Sequence, residues 1–319
     1  MNLPTRTPLW LLFLVTVALV QSTLSQNSSP PDIRPSSRIQ AMVDRAVQRT
    51  LEQFAEKKLE ADQIAVTLVD LRDPKRPAQG SHRGGGQIYP ASVIKLFYLA
   101  AAHRWMEDGK LKDTEELRRA MKDMIVDSYN EATGYIVDLL TETTSGPELS
   151  AAEMEVWYDK RNAVNRHFAS LGYKNINANR KPWCEGPYGR EKQSVNLHKP
   201  NHRNWLTTDA TARLFTEIAT ARAITPERSR QMMELLKRDP FNPKAETQSR
   251  DYTGKALPEG AKLWSKAGWT SETRHDAAYV ELPDGNRFVL VVFTANHANE
   301  KDIIPTVVRA VIEGFDQQR

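Results

Sequence analysis

The order of strand and helix signals along this chain constrains its fold more than any other feature. IAVTLVDL (64–71) reads as a strand, closed by the turn RDPKRP. Strand patterns return only near the C-terminus, as KLWSKAGWT, HDAAYVEL and RFVLVVFT. The last two are joined by PDGN, whose Asp-Gly is a hairpin signal. Between these ends lie helical patterns, among them DTEELRRAMKDMIVD, the segment from Asn130 to Thr141, and TTDATARLFTEIAT with Thr207 or Thr208 as its cap. Ile39, Met42, Val43, Ala46, Val47, Leu51 and Phe54 recur at helical spacing, and IIPTVVRAVIEGF (303–315) is a last amphipathic helix. The pattern predicts an α/β (α+β) fold, with an antiparallel sheet built from both chain ends (39–89 and 239–319) and flanked by terminal helices. An all-helical domain (90–238) is inserted into it, and a site belongs where the two halves meet.

Ahead of this region, LWLLFLVTVALV (9–20) is uncharged, follows Arg6 and precedes the small and polar residues QSTLSQNSS. That is the layout of a secretory signal peptide, expected over 1–25, and it implies an exported (periplasmic or secreted) protein. The stretch is short for a membrane span; an uncleaved membrane anchor is the alternative. QNSSPPDIRPSSR (26–38) is expected to be a disordered tether. The lone cysteine, Cys184, allows no internal disulfide and stands far from the leader, which argues against a lipid anchor there.

The length of 319 residues and the 40% hydrophobic content suffice for a sizeable core. A net charge of +4 suits acidic small molecules or anionic surfaces, but the Lys and Arg residues are spread along the chain instead of clustered, so no nucleic-acid partner is expected. Nothing in the sequence demands more than a monomer.

The chemistry is signalled by IYPASVIKLFYL (88–99), where Lys95 sits in an otherwise apolar helix. A buried ammonium must find polar partners or lower its pKa, and the second outcome makes a lysine a base near neutral pH. Ser92 precedes it by three residues, on the same helical face if Pro90 occupies the first turn. A serine there also has free backbone N–H groups beside it, which suits a nascent oxyanion. Ser-x-x-Lys alone is equally the mark of a capping serine and a snorkelling lysine. Two further pieces add weight through their order: Ser128-Tyr129-Asn130 between two helices, and Lys266-Ala267-Gly268 on a C-terminal strand.

In these motifs and their order, the chain resembles the class A β-lactamases, within the penicillin-recognising serine enzymes, over roughly residues 40 to 315. ALPEGAKLWSKAGW (256–269) and TTDATARLF (207–215) look similar to the family's wording at these places. The resemblance implies a β-lactamase/transpeptidase-like fold and a small-molecule β-lactam or peptide-like acyl substrate, with no cofactor. It implies that Ser92 attacks an acyl carbonyl, Lys95 takes or relays its proton, and Ser128 passes a proton to the leaving nitrogen. Asn130 and Lys266 would hold substrate, and the N–H groups of Ser92 and Trp269, next to Gly268, would form the oxyanion hole. Thr270, Ser271 and Arg274 lie where a substrate carboxylate would be met, although each also reads as an ordinary strand residue.

Deacylation needs a base for water. Between Tyr173 and Trp205 there is little helical or strand pattern, and the only carboxylates are Glu185 and Glu191. Glu185 stands where the resemblance expects the deacylating glutamate, with Glu191 behind it. Gly-Pro-Tyr-Gly follows Glu185 where the family has Leu-Asn, Ala267 replaces a hydroxyl-bearing residue, and Tyr129 replaces the commoner Asp. Alternatives to β-lactam hydrolysis are a penicillin-binding or peptidase-like enzyme that deacylates slowly, and a non-catalytic ligand-binding protein.

Other chemistries lack their motifs. No Gly-x-Ser-x-Gly elbow, Gly-Lys-Ser/Thr phosphate loop or His-Glu-x-x-His pattern occurs, and Gly84-Gly85-Gly86 has no phosphate-loop context. His198 and His202 are separated by Pro200, so a shared helical face for metal is not expected.

Overall fold

In the computed structural model, which describes residues 31–183, 186–199 and 201–317, the chain enters the fold as a strand. Arg34–Pro35 (β1) runs parallel to a later strand: Arg34 N–H donates to Pro77 O at 3.0 Å and Ser36 N–H to Gln79 O at 2.9 Å. Over its described part the expected tether is therefore corrected. Ser36 also accepts from Ile39 N–H and caps helix α1 (Ser37–Gln53). The expected leader, the start of the tether, Cys184 and Glu185 lie outside the described residues.

Ile64–Asp70 (β2) is buried at every position, because its two faces meet different layers. The turn after it leads into Ala78–His82 (β3), a strand the sequence reading missed. AQGSH has no apolar alternation. Its place is set by backbone pairing to β2 and by Gly80, where a Cβ would lie 2.5 Å from Gln40 N of α1.

The helices follow: α2 (Lys95–Glu107), α3 (Glu115–Ile125), α4 (Asn130–Thr141), α5 (Ala151–Arg161), α6 (Ala163–Ser170), α7 (Gly189–Leu197), α8 (Thr208–Ala219) and α9 (Pro226–Leu236). Helix α2 is buried from Lys95 through His103, as its all-round apolar composition requires. Helix α7 corrects the expectation of an unstructured stretch between Tyr173 and Trp205. Its buried positions are Glu191 and Ser194, so it carries no apolar stripe for periodicity to detect.

Lys237–Arg238 (β4) and Thr247–Arg250 (α10) lead to Lys262–Trp269 (β5), Arg274–Glu281 (β6), Arg287–Thr294 (β7) and the closing helix α11 (Ile303–Asp316). The β6–β7 hairpin turns at Gly285, whose φ of +92° is the left-handed conformation that the Asp-Gly pair supplies. The sheet order is β1-β3-β2-β7-β6-β5-β4, antiparallel except for β1 on β3. The N-terminal β2 lies against the C-terminal β7, Ile64 opposite Thr294, so both chain ends build one sheet.

Apolar residues pack on both faces. Val66, Leu68, Leu290 and Val292 lie under α1 and α11, while Ala65, Val69, Val291 and Phe293 face the cluster that includes α2, α4 and α8. Among the described residues, no helix is long and apolar enough to cross a membrane.

The contact at Gly80 predicts that Gly80→Ala forces α1 away from β3 and costs about 1–3 kcal/mol. Unfolding in denaturant checks this; an unchanged midpoint would show that the two backbones have room to part.

Candidate active site

Ser92 lies on a short 3-10 turn (Ala91–Ile94) that runs directly into α2, so it and Lys95 share one helical path. Pro90 caps this turn instead of occupying its first residue, and Val93 N–H donates back to Pro90 O at 3.0 Å. Ala91 holds φ at +46°, a left-handed conformation that a non-glycine residue keeps only where its surroundings enforce it. Those surroundings are visible. A Cβ at Gly268 would lie 2.8 Å from both Pro90 O and Ser92 N, and 2.9 Å from Val93 N, so the backbone of β5 rides on the turn that carries Ser92.

Opposite Gly268, His275 is fully buried on β6. Its Nδ1 accepts from Thr294 N–H at 3.1 Å, which leaves Nε2–H to donate to Tyr89 O at 2.9 Å. A neutral ring thus ties the sheet to the segment just before the Ser92 turn, and burial lowers its pKa to about 4.

Lys95, with no exposed surface, donates to Ser128 O at 2.5 Å, Ser128 Oγ at 3.2 Å and Asn130 Oδ1 at 2.9 Å. From the opposite side Lys266, equally buried on β5, donates to Ser128 Oγ at 3.0 Å. The Ser128 hydroxyl therefore sits between two ammonium groups, one from a helix and one from the sheet. Ser128 holds φ at +61°, a second left-handed non-glycine residue at the site. Burial, and then the positive charges of Lys95 and Arg238, push the Lys266 pKa far below the usual lysine range.

Two residues that no motif marked join these parts. The Arg238 guanidinium donates to Ile125 O at 2.9 Å and to Ser265 O at 3.2 Å, linking the end of α3 to β5. Gln248 of α10 contacts both Val126 O and Lys266. Polar side chains at these positions carry no local signal; only their burial in three dimensions reveals them.

Other candidates take different places. Trp269 is half exposed at the end of β5. The Thr270 hydroxyl accepts from the N–H groups of Glu272 and Thr273, so it stabilises the β5–β6 turn. Arg274 pairs with Trp269 in register and stacks 4.0 Å over the Tyr252 ring, with Nη2 donating to Asp251 O. By strand alternation it faces away from Lys266.

Glu191 is buried and held by Arg161 Nη2 at 2.5 Å, with Lys181 Nζ at 3.7 Å and Ser145 Oγ donating at 3.0 Å. Arg161 and Lys181 also meet Asp138. This network ties α7 and Lys181 to α4 and α5; all of these contacts fall on Glu191 Oε1, while the buried Oε2 accepts no hydrogen bond among the described residues. Among the described residues, no cluster of His, Cys, Asp and Glu could hold a metal ion.

The model of the β-lactamase enzyme family matches residues 44–315. Solved structures with a similar fold include a β-lactamase from Sphaerobacter thermophilus, 20% identical with a TM-score of 0.61, over 87% of this chain and 98% of that one. A β-lactamase from Xanthomonas campestris is 15% identical with a TM-score of 0.63, over 86% of this chain and 98% of that one. PBP-A is 18% identical with a TM-score of 0.60, over 90% of this chain and 99% of that one. No curated protein matches the sequence.

Two predictions follow from the buried charges. Glu191→Gln leaves Arg161 and Lys181 undercompensated and is expected to cost on the order of 3 kcal/mol of stability. Unchanged stability with selectively slowed deacylation would instead make Glu191 a base.

The pKa values of His103, His202 and His275 are lowered by burial to about 4, 3 and 4. Each binds a proton more readily unfolded than folded, so its stabilising contribution is complete above about pH 6.5 and is lost as pH falls toward the folded value. Stability should decline between pH 6.5 and 4 by up to about 1.4 kcal/mol per unit for each group. A flat series of unfolding free energies across that range would contradict the buried neutral rings.

Proposed function

Because the chain belongs to the β-lactamase enzyme family, we propose that it is an exported serine hydrolase that opens β-lactam amides through an acyl-enzyme on Ser92. The observation that carries this reading is the Ser128 hydroxyl held between Lys95 and Lys266, next to a β5 backbone packed onto the Ser92 turn.

The proposed sequence is simple. Ser92 Oγ attacks the acyl carbonyl and its proton passes to Lys95, which is neutral at that moment. The carbonyl oxygen becomes an oxyanion beside the backbone N–H groups of Ser92 and Trp269. As the C–N bond breaks, the nitrogen takes a proton through Ser128, whose hydroxyl can be resupplied by the lysine that gained one. Asn130 and Lys266 orient and compensate charge, and water then hydrolyses the Ser92 ester. The substrate is a small-molecule acyl donor, and the chain acts as a monomer. The N-terminal apolar segment, ahead of the described residues, supports export.

A second reading is favoured by Glu191. With that carboxylate engaged by Arg161, deacylation depends on Glu185, followed by a Gly-Pro turn sequence in place of a second water-holding residue. The acyl-enzyme would then persist, as in a penicillin-binding protein. One fold relative, a variant of PBP-A, is described as an acyl-enzyme complex with penicillin G.

An intact-mass time course with penicillin G distinguishes these readings. Wild type should gain the mass of the drug while Ser92→Ala gains none; Lys95→Ala should acylate about 100-fold or more slowly. A brief adduct means a lactamase and a lasting one a slow-releasing binder. An adduct on Ser92→Ala, or none on wild type, would overturn the reading.

A further inference from the structure

We infer that Gln248 is a positioning residue of this site: its side-chain amide aims the Lys266 ammonium at the Ser128 hydroxyl and locks β5 to the end of α3. The inference rests on the proposed acylation chemistry for its consequence in rate, but on geometry for its substance. Gln248 is buried, 4% exposed, on the short helix α10. Its Oε1 accepts from Lys266 Nζ at 2.6 Å and from Ala267 N–H at 3.3 Å, and its Nε2 donates to Val126 O at 2.9 Å.

The amide orientation is forced by these partners. An ammonium and a backbone N–H only donate, and a carbonyl only accepts, so the reversed amide would lose all three bonds.

An ammonium has three tetrahedral donors. One from Lys266 goes to Gln248 Oε1, one to Ala267 O at 2.9 Å, and the third reaches Ser128 Oγ at 3.0 Å. Once the first two are fixed, the direction of the third is determined. Val126 caps the end of α3 and stands two residues before Ser128, so the same amide also holds the backbone that presents the hydroxyl.

The charged and titratable groups around Lys266 explain why an uncharged acceptor matters. Lys95 on α2 and Arg238 on β4 oppose its charge, while Asp276 on β6 and Glu246 beside α10 favour it. Burial raises the Asp276 carboxyl above the usual range, which weakens that support. The Gln248 carbonyl stabilises the ammonium without adding a charge.

The test compares wild type with Gln248→Leu and Gln248→Glu in the full chain, by two readouts. One is acylation by penicillin G, followed by intact mass. The other is the titration of Lys266, followed by NMR of 13C-labelled lysine and assigned with Lys266→Arg. Gln248→Leu should acylate about tenfold or more slowly, and its Lys266 should titrate at lower pH because the ammonium has lost an acceptor. Gln248→Glu keeps the acceptor and adds a charge, so its Lys266 should titrate at higher pH. A purely structural glutamine would not move that titration in opposite directions.

Wild-type acylation and titration by both variants would overturn the inference. If Gln248→Leu fails to fold, the direction of the shift in Gln248→Glu decides. A wild type that forms no adduct overturns the acylation reading alone; the lysine titration then judges Gln248 by itself.

Discussion

Two buried ammonium groups converge on one hydroxyl, and much of the architecture exists to make that tolerable. Removing Lys95 and Lys266 from water is costly unless every donor finds an acceptor. Lys95 meets the carbonyl and hydroxyl of Ser128 and the Asn130 amide, whereas Lys266 meets Ser128, Gln248 and its own strand. Those acceptors come from α4, α10, β5 and the left-handed bend at Ser128, so the helical layer and the sheet must meet in one register. The close approach of Gly268 to the Ser92 turn and the His275 clasp on Tyr89 fix the same meeting from the other side.

The positive charge so concentrated also shapes chemistry. Lys95, Lys266 and Arg238 are buried within one neighbourhood, where Asp276, Glu246 and Asp127 supply the opposing charge. A negative charge placed there would meet a field of the right sign, in a medium that screens little. Such a field depends on rigidity, which the left-handed residues Ala91 and Ser128 indicate: neither conformation survives without neighbours that enforce it.

Much of this was legible in the sequence because some residues announce themselves locally. A lysine inside an apolar helix, a Ser-x-Asn between helices and a Lys-x-Gly on a strand are departures from what their surroundings favour. The strands at the two ends were legible because burial on both faces makes them apolar throughout. What stayed hidden has the opposite character. β3 and α7 are held by backbone pairing and by buried charge instead of apolar rhythm, and Gln248, Arg238 and His275 are polar residues whose neighbours are remote in sequence. Thr270 and Arg274 have contacts of their own that no motif announced, the Thr270 hydroxyl with the turn N–H groups and the Arg274 guanidinium over the Tyr252 ring.

The pairing of Ile64 with Thr294 has a consequence for how the molecule comes into being. β2 waits for its central neighbour until nearly the whole chain has been made, and loop closure over such a span is slow. Lys266 reaches Ser128 only when β5 joins the sheet, so a chain cut off before β5 has Lys95 but not its counterpart across the hydroxyl. Truncated copies are thus left with an open sheet edge and with Ser128 lacking one of its two lysine partners, and this buried cluster comes together only at the end of synthesis, when the last strands close the sheet.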